Sequence, residues 1–224
     1  MSYDRTIEFT VSGRPYSIVV PECPLAVTVA MEIIQGQSYP VFTWMKDVRT
    51  IVDVGASFGP ASLFFAAVWP KATIRAYEPD TDSCDFLIAN TKGQNVEVHN
   101  YAIGDRYGAP VLYQGRLGAA CNSLVRQPGV TDRGETVPMS DARAAFRFPI
   151  DILKIDTEGM EVPILKRIAD RLGEIRFLYL EFHSAADRLE FERILSPTHD
   201  LHACRMQRPH TGEVLYVRKG EWKG

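Results

Sequence analysis

Cysteine is scarce in this sequence, and so are long apolar runs. The four cysteines lie far apart and form no Cys-x-x-Cys pair, which argues against a zinc knuckle or a redox motif and predicts reduced thiols. The N-terminal segment carries charges where a signal peptide needs an apolar core, and the longest nearly uncharged run, residues 23–31, is too short to cross a bilayer. These features predict a cytoplasmic protein without a membrane partner.

An excess of basic residues is also lacking. The chain has 25 lysines and arginines against 28 aspartates and glutamates, and its net charge of −3 gives no global attraction to phosphate polymers. Nucleic acid is therefore not expected as a partner. With 224 residues, 46% of them hydrophobic, the chain is long enough for one sizeable core, and a single structural domain is expected.

Two nucleotide-binding motifs are missing as well. The three glycine positions of the dinucleotide motif G-x-G-x-x-G read Gly55, Ser57 and Pro60. A phosphate-binding P-loop needs a lysine that does not follow Gly59 at the required place. Both absences argue against an NAD-dependent oxidoreductase and against a P-loop enzyme.

What the sequence does contain is a regular alternation of strand-like and helix-like segments. The predicted strands are residues 50–56, 73–80, 96–104, 150–158 and 176–183, several of them nearly continuous apolar runs, as buried parallel strands require. The predicted helices between and after them are residues 60–69, 82–93, 161–172 and 185–195. This alternation predicts an α/β fold with a doubly wound, mostly parallel sheet covered by helices on both faces.

The two ends of the chain and one internal interval depart from this alternation of strands and helices. Residues 1–49 are predicted to form a β-hairpin, turning at Gly-Arg-Pro, and a helix that stops near Gly36, both packed on a main domain of residues 50–224. The C-terminal end is predicted to form an antiparallel hairpin about Thr211-Gly212. Residues 105–149 are rich in Gly, Pro and polar residues, and we expect a short β-excursion and a loop over the carboxyl edge of the sheet.

The first predicted parallel strand ends in a glycine-containing turn, "VDVGASFGP". Ligands of open α/β sheets bind beyond the carboxyl ends of strands, where the strand order reverses. Missing side chains at Gly55 and Gly59 let a ligand approach the backbone, and Pro60 suits the first turn of the helix that follows. The turn therefore predicts a small-molecule site, although a tight turn without a ligand is the alternative.

An acidic residue, Glu78, ends the next predicted strand in "AYEPD". A carboxylate at this place, beside the glycine turn, can accept two hydrogen bonds from the vicinal hydroxyls of a ribose. We therefore predict that Glu78 binds the ribose of a nucleoside-containing ligand.

Four segments together resemble a known family. "VDVGASFG", "AYEPD", "NYAIGD" and above all "ILKIDTEGMEVPIL" resemble, in order and spacing, the signature segments of S-adenosylmethionine-dependent methyltransferases of the FkbM family. The similarity covers roughly residues 30–185, and its most specific part is the Asp-x-Glu-Gly-x-Glu element that begins at Asp156. The family commonly has Asn where this chain has Ser57. The resemblance implies a class I methyltransferase fold with a seven-stranded Rossmann-like sheet.

The resemblance also implies S-adenosylmethionine as cofactor and S-adenosylhomocysteine as product. The residues that would surround the cofactor are Asp53, Gly55, Ala56, Ser57, Gly59, Glu78, Pro79, Ala102, Ile103 and Asp156. Asp105 would reach the adenine amine. Upstream, Glu32 and Tyr39 would close over the site, and Asn122 and Ser123 would lie in a loop on the substrate side.

Ionisable side chains follow the fourth and fifth predicted strands: Asp156, Glu158, Glu181 and His183. Neighbouring carboxylates raise one another's pKa, which suits a base that works near neutral pH. His183 needs the least adjustment, because the ordinary pKa of histidine is near 6.5. We predict that Asp156 orients the cofactor and the acceptor, and that His183 or Glu158 takes the proton of the acceptor.

Structural roles compete for some of these residues. Glu158 could instead cap a helix N-terminus, and Glu161 in the first helical turn is expected to be structural. Asp156, Glu158, Glu181 and His183 would also suit a divalent cation, but no spacing demands one, so no metal is predicted.

The sequence thus predicts an O-methyltransferase that acts on a hydroxyl of a small molecule, sugar or secondary metabolite. An N-methyltransferase of the same fold, an NAD-dependent oxidoreductase and a catalytically silent binding module remain alternatives. Specificity for the acceptor is expected in residues 105–149. Neither the acceptor nor the oligomeric state follows from the sequence.

Overall fold

The computed structural model describes residues 5–23, 25–114, 122–125 and 131–222. Its strands are β1 (Arg5–Val11), β2 (Arg14–Val20), β3 (Thr50–Val54), β4 (Thr73–Tyr77), β5 (Val96–His99), β6 (Ala102–Gly104), β7 (Val111–Gln114), β8 (Thr131–Thr136), β9 (Met139–Asp141), β10 (Ile150–Ile155), β11 (Ile175–Phe182), β12 (His199–Arg208) and β13 (Thr211–Arg218). Its helices are α1 (Ala26–Ile34), α2 (Pro60–Val68), α3 (Thr81–Asn90), α4 (Ala142–Ala145), α5 (Glu161–Arg167), a 3₁₀ helix (Ala169–Glu174) and α6 (Ala185–Leu195).

Seven of the described strands form the central sheet, in the order β12-β13-β11-β10-β3-β4-β5. The pairs from β11 to β5 are parallel, whereas β13 runs antiparallel to both of its neighbours. The chain proceeds from β3 through β4 to β5 on one side, and later returns to β10 and β11 on the other. The strand order therefore reverses between β3 and β10, where α/β sheets bind ligands. The predicted doubly wound, mostly parallel sheet is confirmed.

Alternate residues of the parallel strands enter two separate cores. Val52 of β3 and Leu153 of β10 pack with α5 and α6 on one face, and Ile51 and Ile152 pack with α2 on the other. Because both faces are covered, the strands appear in the sequence as continuous apolar runs.

Helix α2 is buried on nearly every side, since residues 60–67 are all buried. The sheet covers one side of α2, and β2 and α1 cover the other through a small core that includes Ile18, Ala30 and Leu63. The side chain of Asn90 on α3 donates to Val19 O and accepts from Val19 N, both at 2.8 Å. The N-terminal hairpin and α1 thus complete the core around α2.

The predicted hairpin turns differ from the observed ones. The first turn lies at Ser12 and Gly13, whose φ angles are 50° and 78°, as a two-residue turn with both central residues at positive φ requires. Arg14 is already in strand β2. The C-terminal turn lies at residues 209–210 instead of Thr211-Gly212, because Pro209 cannot donate to the ladder and ends it there.

Two predicted elements are divided. Residues 96–104 form β5 and β6 separately, because Asn100 Nδ2 donates to the carbonyls of Glu78 and Pro79 and the chain bends there. The predicted helix at 161–172 continues beyond α5 as the 3₁₀ helix.

The interval 105–149 contains two small two-stranded pairings, β6 with β9 and β7 with β8. Residues 115–121 and 126–130 of this interval, including Cys121, lie outside the described residues. The cysteines at 23, 84 and 204 form no disulfide in the described part of the chain. None of the described helices has the length and apolar character needed to cross a membrane.

Candidate functional site

A crevice opens at the carboxyl ends of β3, β4 and β10, where the strand order reverses. It encloses about 810 Å³ of empty space, including its open mouth. Its polar and backbone lining comes from Tyr39, Gly55, Ala56, Ser57, Glu78, Asn122, Ser123, Lys154, Asp156, Thr157 and Glu158, and its apolar lining includes Pro79, Ala102, Ile103, Leu112 and Leu124. Most residues predicted to surround a cofactor are therefore brought together.

The glycine turn forms the floor of the crevice. The N–H groups of Gly55 and Ala56 both donate to Tyr77 O at 3.0 Å, which holds the end of β3 against the end of β4. At Gly55 the φ angle is +75°, and a Cβ atom would lie 1.8 Å from the carbonyl oxygen of Asp156. Gly55 is thus required by the close approach of β3 to β10, and this backbone contact brings Asp156 to the crevice.

We expect Gly55→Ala to destabilise the protein at least about 1 kcal/mol more than Gly13→Ala. Gly13 has a similar φ of +78° but open space where its Cβ would lie, so it is a matched control for the conformational part of the effect. Urea unfolding of both variants measures the difference. Equal losses would contradict the close approach at Gly55.

Gly59 does not line the crevice. It caps the N-terminus of α2 with a φ of +93°, and a Cβ there would lie 2.9 Å from Leu87 Cδ1. The structure therefore gives Gly59 a packing role at the junction of α2 and α3. Its prediction as a cofactor contact stays a prediction.

Glu78 is 7% exposed and borders the glycine turn. Its Oε2 accepts from Ser57 N and its Oε1 accepts from Asp80 N, each at 2.8 Å. Burial raises the pKa of Glu78 to about 7, although these two hydrogen bonds oppose the shift. Each carboxylate oxygen keeps further acceptor capacity, so Glu78 can still receive two hydroxyl groups from the crevice.

Asp53 does not line the crevice but lies beneath it, fully buried. Its neighbour in register on β10 is Lys154, whose Nζ lies 3.0 Å from Asp53 Oδ1. Ser62 Oγ donates to Asp53 Oδ2 at 2.6 Å, and Lys154 Nζ donates to Gly55 O at 2.6 Å. This ion pair supports the glycine turn from below, and a role of Asp53 in cofactor binding would act through that support.

Lys154 was not predicted as a site residue. The available signal was a lysine inside the buried apolar strand Ile150–Ile155, because buried lysines almost always have a charged partner. Burial alone would lower the pKa of Lys154, but Asp53 and Asp156 together raise it.

Asp156 lies at the centre of a hydrogen-bonded group. Tyr39 O–H donates to Asp156 Oδ2 at 2.7 Å, and Lys154 Nζ lies 3.7 Å from the same oxygen. Burial alone would raise the pKa of Asp156, but Lys154 and hydrogen bonds from Glu181 and Tyr39 lower it. Burial and then Asp156 raise the pKa of Glu181 well above its usual value. Of the two carboxyl groups, Asp156 therefore ionises more readily, and Glu181 keeps its proton to higher pH.

Glu158 and His183 face each other beside this group, with 3.7 Å between Glu158 Oε2 and His183 Nδ1. Glu158 lines the crevice and His183 does not. Burial raises the pKa of Glu158 to about 7, against the opposing charge of His183. Burial alone would lower the pKa of His183, but Glu161, Glu158 and Asp156 raise it to about 9. His183 is thus a cation at neutral pH.

The carboxylate of Glu161 is occupied by the loop that precedes α5. Its Oε1 accepts from Thr157 N at 2.6 Å and its Oε2 accepts from Gly159 N at 2.9 Å. These contacts are those of a structural acid at a helix start. Glu158 itself adopts a φ of 59° in this loop, which aims its side chain at the crevice.

A divalent cation would find its ligands in Glu158, Glu181 and His183. One ligand atom from each lies within 4.8 Å of the others, and two carboxylates with an imidazole suit a first-row transition metal such as Mn²⁺.

Two predicted contacts lie away from the crevice. Asp105 lies beside Arg106, with 3.7 Å between charged atoms, and its side chain is 38% exposed. Glu32 pairs with Arg205 on β12 at 3.0 Å. Tyr39, in contrast, lines the crevice, as do Asn122 and Ser123.

Two buried polar atoms in the crevice residues lack hydrogen-bond partners among the described residues: Ser57 Oγ and Asn122 Oδ1. A buried polar atom without a partner costs about 1–3 kcal/mol. A polar ligand between the glycine turn and the 122–125 segment would satisfy both atoms. The crevice therefore fits an elongated ligand that is polar at several points and apolar between them.

Residues 53–203 of the chain, more than half of its length, match the family described as Methyltransferase FkbM domain. No curated protein matches the sequence. Among solved structures, the FkbM methyltransferase of Methylobacillus flagellatus KT has a similar fold, with a TM-score of 0.55 and 19% identity. The similarity covers 76% of this chain and 43% of that protein, so the chain spans less than half of its length.

Two other solved structures have similar folds. The precorrin-6y C5,15-methyltransferase of Geobacter metallireducens GS-15 has a TM-score of 0.50 and 12% identity, over 88% of this chain and 91% of that one. The fibrillarin of Aeropyrum pernix, solved with natively bound S-adenosyl-L-methionine, has a TM-score of 0.52 and 11% identity, over 96% and 82%. At these identities the likeness concerns the fold.

Proposed function

This chain belongs to the FkbM methyltransferase family, and from that membership we propose that it uses S-adenosylmethionine to methylate a hydroxyl oxygen of a small molecule, sugar or secondary metabolite. The observation that carries the proposal is that Glu78 and Glu158 line one crevice on either side of the glycine turn. The carboxylate of Glu78 is suited to accept hydrogen bonds from a ribose. The carboxylate of Glu158 is suited to take the proton of the methyl acceptor.

The cofactor would be held by groups that are already in position. Glu78, fixed by two backbone N–H groups, would accept the ribose hydroxyls. Ser57 Oγ, buried without a partner among the described residues, would bond to the methionine part above the turn. S-adenosylmethionine carries its methyl group on a sulfonium. A correctly oriented oxygen nucleophile can take this methyl group without a covalent intermediate on the protein.

Glu158 is the better candidate for the base. A base must reach the acceptor and must be partly ionised at the working pH. Glu158 lines the crevice and has a pKa raised to about 7, whereas His183 does not line it and is held protonated by the acids around it. We therefore assign proton removal to Glu158. His183 acts as a positioning residue that tunes Glu158, and Asp156, held by Tyr39, orients the acceptor.

The titration of Glu158 tests this division of roles without any acceptor. We expect a midpoint near pH 7 in ¹³C NMR of protein labelled at the glutamate carboxyl carbons, with the resonance identified by its loss in Glu158→Gln. The positive charge of His183 lowers the pKa of Glu158, so His183→Gln should move the midpoint to higher pH.

His210→Gln is the matched control, because His210 is exposed and far along the chain from the crevice residues; it should leave the midpoint unchanged. A Glu158 midpoint below about pH 5, near the ordinary value for glutamate, would contradict the role of base. A midpoint unmoved by His183→Gln would remove His183 from the site.

The acceptor class is tested with methyl-labelled S-adenosylmethionine and a panel of polyhydroxylated compounds. Each hydroxyl acceptor is paired with its deoxy and amino counterparts. We expect label only where the hydroxyl is present, in a product that resists mild alkali as an ether does. Label that follows the amino counterpart would contradict O-methylation and favour the N-methyltransferase alternative.

A further inference from the structure

The side chain of Asn122 has a defined orientation in the crevice. Its Nδ2 donates to Asp80 Oδ2 at 3.0 Å, and Ser83 Oγ donates to the same oxygen at 2.9 Å. Since a carboxylate accepts hydrogen bonds, the amide must present its NH₂ group to Asp80, and its carbonyl oxygen points the other way. That atom, Asn122 Oδ1, is buried and has no partner among the described residues.

The segment around Asn122 is held independently of any ligand. Ser123 and Tyr113 exchange backbone hydrogen bonds of 2.8 and 2.9 Å, and Ser123 Oγ donates to the carbonyl of Glu158 at 2.7 Å. The segment is therefore attached both to β7 and to the loop after β10. Asn122 Oδ1 is thus a fixed acceptor, and a ligand group that meets it must donate.

The position of Asn122 indicates which group that is. Asp80, which holds the amide, also donates its N–H to Glu78 Oε1, so Asn122 lies on the Glu78 side of the crevice. The apolar lining of the crevice includes Pro79, next to Glu78, and Ala102, Leu112 and Leu124, which pack together. Apolar walls with one buried acceptor suit a flat heterocycle that carries one donor group.

We propose that Asn122 Oδ1 accepts a hydrogen bond from the 6-amino group of adenine and so selects adenine over hypoxanthine. The inference rests on the proposed function, because it takes Glu78 as the ribose ligand. It assigns adenine recognition to Asn122, which was predicted to lie on the substrate side, instead of Asp105, which is partly exposed and does not line the crevice.

Calorimetry with two ligands tests the assignment. S-adenosylhomocysteine presents an amino group at purine position 6, and S-inosylhomocysteine presents a carbonyl oxygen, which would oppose Asn122 Oδ1. The intact protein should bind the adenosyl ligand at least about tenfold more tightly, because a site built to accept a hydrogen bond rejects an analogue that lacks the donor. In Asn122→Ala the ratio should fall to within about threefold of one, and Asp105→Ala should keep it.

Asn122→Leu, which keeps the branching at Cγ and lacks polar side-chain atoms, serves as a second variant and should give the same loss of discrimination. Equal affinity of the intact protein for both ligands, or an unchanged ratio in both Asn122 variants, would overturn the assignment while leaving the proposed function intact. A change of ratio in Asp105→Ala would return adenine recognition to Asp105. If the intact protein bound neither ligand, the proposed function itself would fail.

Discussion

Glu78→Ala is expected to weaken binding of S-adenosylhomocysteine at least about 100-fold. Two hydrogen bonds from ribose hydroxyls to a carboxylate are worth about 1.5–3 kcal/mol each, and about 3 kcal/mol corresponds to two orders of magnitude in affinity. The substitution also removes the acceptors of Ser57 N and Asp80 N, so the turn that faces the ligand loses a support. Calorimetric titration measures the loss.

Two further variants separate binding from general damage. Glu97 is exposed on the neighbouring strand β5, and Glu97→Ala should leave the affinity unchanged. Glu78→Gln keeps the shape of the side chain but replaces one acceptor with a donor, and an intermediate loss is expected. An affinity of Glu78→Ala within about threefold of the intact protein would remove Glu78 from the ribose site.

Lys154→Met is expected to lower the free energy of unfolding by about 3–5 kcal/mol, the usual cost of removing one partner from a buried ion pair. The substitution leaves Asp53 without its counter-charge and withdraws positive charge from Asp156, both of which Lys154 approaches. It also removes the hydrogen bond to Gly55 O. Urea unfolding, monitored by fluorescence, gives the difference.

A surface lysine provides the control. Lys166 pairs with Glu190 across exposed side chains, and Lys166→Met should leave the stability nearly unchanged, because such pairs contribute little. In the double variant Lys154→Met/Asp53→Asn, part of the lost stability should return, since the buried charge of Asp53 is removed with its partner. Strictly additive losses in the double variant would contradict the pairing.

The sheet could be predicted from the sequence because the pattern of apolar residues that produces it is local and repeats along the chain. The parallel strands β3, β4, β10 and β11 are buried on both faces and are therefore short, nearly continuous apolar runs. The helices between them keep apolar residues at helical spacing. The hairpin turns were predicted a residue or two late, because both positions depend on the backbone angles of single residues such as Ser12 and on the missing N–H of Pro209.

The site could be predicted only in outline. Glu78 and the turn around Gly55 lie at strand ends, which their sequence context indicates. The contact of Lys154 with Asp53 depends on the register between β3 and β10. This register cannot be predicted from the local sequence of either strand. The pKa of His183 is raised by Asp156 and Glu158 in the loop after β10 and by Glu161 at the start of α5. The ordinary pKa of histidine therefore did not predict its charge in the folded protein.

The central claim is that the crevice between β3, β4 and β10 binds S-adenosylmethionine, and titration of the intact protein with S-adenosylhomocysteine tests it most directly. The account predicts saturable one-to-one binding in the micromolar range, about −8 kcal/mol. Absence of binding at millimolar ligand would contradict the account. Binding of a nicotinamide dinucleotide in its place would favour the oxidoreductase alternative, and binding of neither would favour a catalytically silent module.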